Sequence, residues 1–141
     1  MGQKIHPVGL RLGITENWRS RWYQGKGYSE TLASDLEIRE FLTRRLRRAA
    51  VSRVEIERKG DKTIVGVWTA RPGIVIGKKG SEVDALRKQL EQIAGGAVNV
   101  NIVEIKRPEL DATLVAQGVA EQLVGRVAFR RAMRKAVASA M

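Results

Sequence analysis

Residues 71–81 read Arg71-Pro72-Gly73-Ile74-Val75-Ile76-Gly77-Lys78-Lys79-Gly80-Ser81. Two glycines stand three apart with two lysines between them, after a short apolar run and before a strong helical signal. In that helix Val83, Leu86, Leu90 and Ile93 step by 3, 4 and 3, which places them on one face. Ser81 stands where a helix cap is expected, and Gly95-Gly96 ends the element. The Gly-x-x-Gly turn has a physical use. Without Cβ atoms, the backbone at Gly77 and Gly80 can lie against a sugar–phosphate chain. The start of the next helix offers unpaired N–H groups and the positive end of a dipole. Lys78 and Lys79 add two mobile cations, and Ile74, Val75 and Ile76 can floor a groove for unstacked bases. The four-residue pattern alone also fits a plain turn between helices, so the elements around it decide.

Upstream, residues 51–58 and 63–70 alternate as strands: Val54 and Ile56 against Arg53, Glu55 and Glu57, and Val65 and Val67 against Gly66 and Trp68. Lys59-Gly60-Asp61-Lys62 between them reads as a hairpin turn. Downstream, Val98, Val100 and Ile102 alternate with Asn99 and Asn101 in a third strand running to Ile105. Before the hairpin, residues 29–49 have helical spacing, with Leu32, Leu36, Leu42, Leu46 and Ala49 read as the buried face. Ser34-Asp35-Leu36-Glu37 offers a capping box at which this helix could restart. Its end, Arg44-Arg45-Leu46-Arg47-Arg48, supports two readings: cations favoured by the helix dipole, or RNA contacts. The order αββααβ predicts an α+β fold, a three-stranded sheet with helices on one face. It matches the type II KH module, which binds single strands.

Three units are expected: a basic arm at 1–28, the KH domain at 29–106, and a further segment at 107–141 after Lys106-Arg107-Pro108. The arm is glycine-rich and reads as irregular or briefly extended. Its Trp18, Trp22, Tyr23 and Tyr28 stand beside Arg19, Arg21 and Lys26. They suit closure over a small core, the favoured reading, or stacking on bases. Lys4, His6, Arg11, Arg19 and Arg21 are the arm's expected RNA contacts. In the last segment Asp111 caps a helix through Val115, Val119 and Leu123, and Gly125 breaks it. A second helix carries Phe129, Met133 and Val137. Arg130, Arg131, Arg134 and Lys135 share one broad face of it, and no acidic residue follows Glu121.

Composition narrows the function. The 141 residues carry 26 Lys and Arg against 15 Asp and Glu, a net charge of +11, which calls for a polyanionic partner. With no cysteine there is no disulfide framework, thiol nucleophile or iron–sulfur cluster, and one histidine excludes a two-histidine metal site. Gly77-Lys78-Lys79-Gly80 has the wrong spacing for a Walker phosphate loop, and no tight carboxylate cluster appears. No catalytic residue, metal or cofactor is therefore expected, and the chain is read as non-enzymatic. No apolar stretch approaches the roughly 20 residues of a membrane span, and the N-terminus lacks a secretory hydrophobic segment. The plain reading is cytoplasmic.

Three separated motifs then carry a family resemblance. Thr69–Gly80 with its Ile76-Gly77-Lys78-Lys79-Gly80, the opening Gly2-Gln3-Lys4-Ile5-His6-Pro7 with Arg11-Leu12-Gly13-Ile14, and Val127-Ala128-Phe129-Arg130-Arg131-Ala132-Met133-Arg134-Lys135 closely resemble the bacterial small-subunit ribosomal protein number three family. The resemblance implies a type II KH domain set in the head of the small subunit beside the messenger RNA entrance. It implies contacts with small-subunit ribosomal RNA, messenger RNA and neighbouring head proteins, with Arg130, Arg131, Arg134 and Lys135 at the entrance. A bacterial or an organellar ribosome fits equally. The family's second α/β domain continues past the arginine-rich helix, so 107–141 is expected to be the first two helices of an incomplete domain. No homo-oligomer is expected. A free KH regulator of RNA is the alternative, disfavoured by the matching arm and terminal helix.

Overall fold

The computed structural model describes residues 2–60, 62–77 and 80–141. A one-turn helix, α1 (Pro7–Arg11), and a two-residue strand, β1 (Ser20–Arg21), occupy the arm. Then follow α2 (Tyr28–Arg45), a 3-10 turn at Arg47–Ala49, β2 (Val51–Lys59), β3 (Lys62–Thr69), α3 (Pro72–Ile76), α4 (Ser81–Ala94) and β4 (Ala97–Glu104). A 3-10 turn at Pro108–Leu110 leads to α5 (Ala112–Val124) and α6 (Phe129–Ala140). The αββααβ order is therefore present, with the three expected strands in place.

β2 and β3 are antiparallel, and β4 runs parallel to β3 on its far side. The sheet gains a fourth strand: β1 pairs parallel to β2, with Ser20 beside Ile56 and Arg21 beside Glu57. This edge was invisible in the sequence, because two residues carry no alternation to read. The expected turn at 59–62 includes Asp61, which lies outside the described residues; the strands flanking it pair Lys59 with Lys62.

Val54, Ile56, Val65, Val67 and Val98 face inward and meet Ile38 and Leu42 of α2 and Leu86 and Leu90 of α4. Both helices thus cover one face of the sheet. The α2 face differs from the one expected. Asp35, Ile38 and Leu42 are buried, and Leu46 and Ala49 continue the line, while Leu36 is 58% exposed. Positions 35, 38, 42, 46 and 49 keep helical phase, whereas 36 to 42 breaks it. The helix does not restart at Ser34: it is continuous from Tyr28, and Asp35 spends its carboxylate on tertiary contacts instead of a cap.

On the opposite face, Trp68 lies over Gly66. A Cβ at Gly66 would stand 2.6 Å from the indole ring, so only glycine fits beneath it. The Arg53 guanidinium covers the indole at 4.8 Å from the ring centroid. At the other end of the chain, Asp111 caps α5 as expected, accepting from the Leu114 N–H at 3.0 Å and from the Ser52 hydroxyl at 2.6 Å. The Gln117 amide donates to the Val51 carbonyl at 3.1 Å, so α5 is fastened to β2. Helix α5 ends before Gly125, and the positive φ of the turn falls on Arg126, at 61°. No helix among the described residues is long and apolar enough to cross a membrane.

Candidate nucleic-acid interface

The segment leading to the Gly-x-x-Gly motif is clamped from below. Thr69 is fully buried, and its hydroxyl donates to the Ala49 carbonyl at 2.6 Å and accepts from the Arg71 N–H at 3.1 Å. These bonds fix where β3 leaves the sheet and α3 begins. Val75 drops into the core at 1% exposure, leaving Ile74 and Ile76 at 47% and 43%. The expectation that all three residues line a groove is thus corrected: Val75 anchors α3, and only the two isoleucines are free for a ligand. Helix α3 packs against β4, which is an outer strand of the sheet.

Gly77 ends α3 with φ at 69°. A Cβ there would stand 2.7 Å from the Glu82 Cβ, so both backbone conformation and close approach demand glycine. Gly80 is also left-handed, at φ 82°, and takes the N-cap position expected of Ser81, which instead begins α4. Lys78 and Lys79 lie outside the described residues. Glu82 in the first turn of α4 is met by Arg45 at 3.5 Å.

The arginines closing α2 divide. Arg44 pairs with Glu40 and Arg45 with Glu82. Arg47 and Arg48 are exposed and make no ion pair among the described residues. The paired two are occupied by carboxylates of the protein, and the other two are open to an anion.

In the arm, Lys4, His6, Arg11, Arg19 and Arg21 are all exposed. Arg11 donates to the Pro7 carbonyl at 3.0 Å, and His6 precedes α1 as its N-cap. Arg21 leans on Glu55 and Glu57, each at 3.7 Å, which offsets part of its charge. The aromatics also divide. Trp22 donates its indole N–H to Asp35 at 2.8 Å and packs on Tyr28 with ring centroids 5.3 Å apart. Trp18 and Tyr23 stay outside, Tyr23 at 95% exposure. Core closure holds for Trp22 alone.

The bonds that hold the arm were missed in the sequence. Asp35 is 1% exposed and accepts from Ser20, Trp22 and Arg58. Arg39 donates to the carbonyls of Val54 and Arg19, at 2.6 and 2.9 Å, and to the Ser20 hydroxyl at 2.8 Å. Burial pushes the Arg39 pKa below the usual guanidinium value; Asp35 acts against this shift and the like charge of Arg19 acts with it.

On α6, Arg130, Arg131, Arg134 and Lys135 are all exposed, and they line one shallow depression with Ala128 and Ala138. None pairs with a carboxylate among the described residues. Ala132 is the buried residue of this helix, while Phe129, Met133 and Val137 form an exposed apolar line. Arg130 sits 5.7 Å from the centroid of the Phe129 ring. No group of three or more metal-ligating side chains occurs among the described residues.

Comparison with known proteins agrees with this fold. The KH domain profile matches residues 37–110. Over all 141 residues the chain is 57% identical to small ribosomal subunit protein uS3 of Lactobacillus acidophilus and to that of Gluconobacter oxydans. It is 51% identical to the uS3 protein of Syntrophus aciditrophicus. It spans 63% of the length of the first two and 65% of the third. Similarity along the whole chain, together with a KH fold built around Gly77 and Gly80, leads to one assignment: this chain carries a KH domain and belongs to the uS3 family of small ribosomal subunit proteins.

Proposed function

We propose that the chain is a non-enzymatic, structural constituent of the small ribosomal subunit that holds RNA. The observation that carries this reading is the similarity to uS3 proteins over all 141 residues. In the KH unit, placed at 29–106, Ile74 and Ile76 face the bases, while Gly77, Lys78, Lys79 and Gly80 take the sugar–phosphate chain. The left-handed glycines let the backbone approach, and the N-terminus of α4 adds its N–H groups. Ribosomal RNA is the first partner. The arm adds Lys4, His6, Arg11, Arg19 and Arg21 to that contact.

Arg130, Arg131, Arg134 and Lys135, which pair with no carboxylate among the described residues, face messenger RNA at its entrance, where they grip phosphates and favour separated strands. The apolar line Phe129–Met133–Val137 is left for protein neighbours in the subunit head. The protein then resides on the ribosome, in the cytoplasm. Sedimentation with small subunits tests the reading. The chain should travel with the subunit and stay bound in moderate salt; a chain that binds free RNA but never enters the subunit peak would make it an unattached RNA regulator.

A further inference from the structure

A groove of about 610 Å³ opens between α2, β2 and α5, apart from the Gly-x-x-Gly segment. Four arginines from four different elements reach it: Arg19 from the arm, Arg39 from α2, Arg47 from the 3-10 turn and Arg53 from β2. The facing wall, α5, contributes a single carboxylate, Glu121. Two of the four cations are structural. Arg39 is spent on backbone and hydroxyl acceptors, and Arg53 lies over Trp68 with Glu55 at 3.2 Å. The other two, Arg19 and Arg47, are exposed and have no side-chain partner among the described residues. Two exposed guanidinium groups lining one groove favour an anion there.

The groove also continues toward the KH segment. The Arg47–Ala49 turn packs on α3, and the Arg71 guanidinium reaches the Arg48 carbonyl at 3.5 Å. Arg47 and Arg48 thus lie between the groove and the residues that lead to Gly77.

We propose that this groove is a second RNA contact, taking phosphates of a single strand that passes the Arg47–Ala49 turn toward the Gly-x-x-Gly motif. The inference rests on the chain being an RNA-binding protein. RNA fits better than an acidic protein segment, because the open cations form a track with the KH segment and guanidinium groups match phosphate oxygens bidentately. Val51 and the exposed Val124 give ribose an apolar contact.

The test measures binding of the full chain to a labelled, unstructured oligo(U) strand as salt is varied. In the variant Arg47→Gln, affinity should fall several-fold, and the slope of log K on log salt should flatten by about 0.7, for one phosphate on a single strand. Ala120→Trp, on the exposed α5 wall, should weaken binding several-fold by filling the groove without altering charge. Circular dichroism should be unchanged in both. Wild-type affinity in both variants, with binding lost in Lys78→Asp, Lys79→Asp, would overturn the second contact and leave the KH reading intact. Loss in the groove variants with none in the loop variant would sink the KH reading and overturn the proposed path from the groove to the Gly-x-x-Gly motif. If the groove variants lose an oligoglutamate peptide but keep oligo(U), the groove takes acidic protein segments and the proposal fails.

Discussion

Arg58 closes a two-point bond on a single carboxylate oxygen of Asp35: its Nε and Nη2 donate to Oδ1 at 3.0 and 2.7 Å. The other oxygen accepts from Ser20 at 3.1 Å and from the Trp22 indole at 2.8 Å. One buried carboxylate on α2 thus joins the last strand residues of β2 to the arm. Arg19 and Arg21 are therefore carried on a segment fixed to the core.

Asp35→Ala should therefore cost about 3–5 kcal/mol, because it leaves Arg58 charged and nearly buried with the Ser34 hydroxyl but no carboxylate to pair with. Urea unfolding followed by circular dichroism measures it. Tryptophan emission should also move to the red as Trp22 is released. A loss below about 1 kcal/mol would mean that Arg58 finds water or another acceptor at no cost.

Gly66→Ala should destabilise the sheet by about 1–3 kcal/mol, since the new methyl would overlap the Trp68 ring. The cause is separable by a double-mutant cycle. In a Trp68→Ala background the same substitution should cost little. Equal costs in both backgrounds would place the strain elsewhere.

Much of the fold was legible because its signals are periodic. The 3-4-3 stepping of Val83, Leu86, Leu90 and Ile93 and the alternation around Val65 and Val98 fixed α4 and the sheet. The inward phase of α2 was misread because Leu32 and Leu36 are larger and more apolar than the residue that is buried. Asp35 keeps phase with Ile38 and Leu42, and Arg58 keeps phase with Val54 and Ile56. Opposite charges in two inward phases are a signal for a buried pair, and that signal was present. Strand β1 carried none: Ser20 and Arg21 are held by Asp35, Arg39 and the β2 edge, which are all distant in the chain. At the interface, Gly77 and Gly80 read as positions of close backbone approach, and the structure adds that both are left-handed. The burial of Val75 between two exposed isoleucines follows from α3 being helical, where adjacent residues point in different directions.

Helices α5 and α6 should exchange amide hydrogens much faster than α4 and β3. Leu114 and Ala132 are their buried residues, against the joined core of Leu86, Leu90, Val65 and Val67. Hydrogen exchange on the free chain should show 81–94 protected and 112–140 weakly so. RNA should slow 129–140 as Arg130, Arg131, Arg134 and Lys135 engage phosphates. Equal, strong protection of both segments in the free chain would show that the Ser52–Asp111 and Val51–Gln117 bonds suffice to fix the pair.

Salt should weaken RNA binding steeply. A contact that neutralises about six phosphates gives a slope of about −4 for log K against log salt on single strands. A slope near zero would make the charge of +11 a solubility feature and no more.

If RNA is held at the Gly-x-x-Gly segment, oligo(U) affinity at fixed salt must differ between the wild-type chain and Lys78→Asp, Lys79→Asp. The core of Ile38, Val65, Val75 and Leu90 is untouched by the change, so circular dichroism should not alter. Two carboxylates facing the phosphates should lower the affinity by roughly tenfold or more. Unchanged affinity with an unchanged fold would contradict the account.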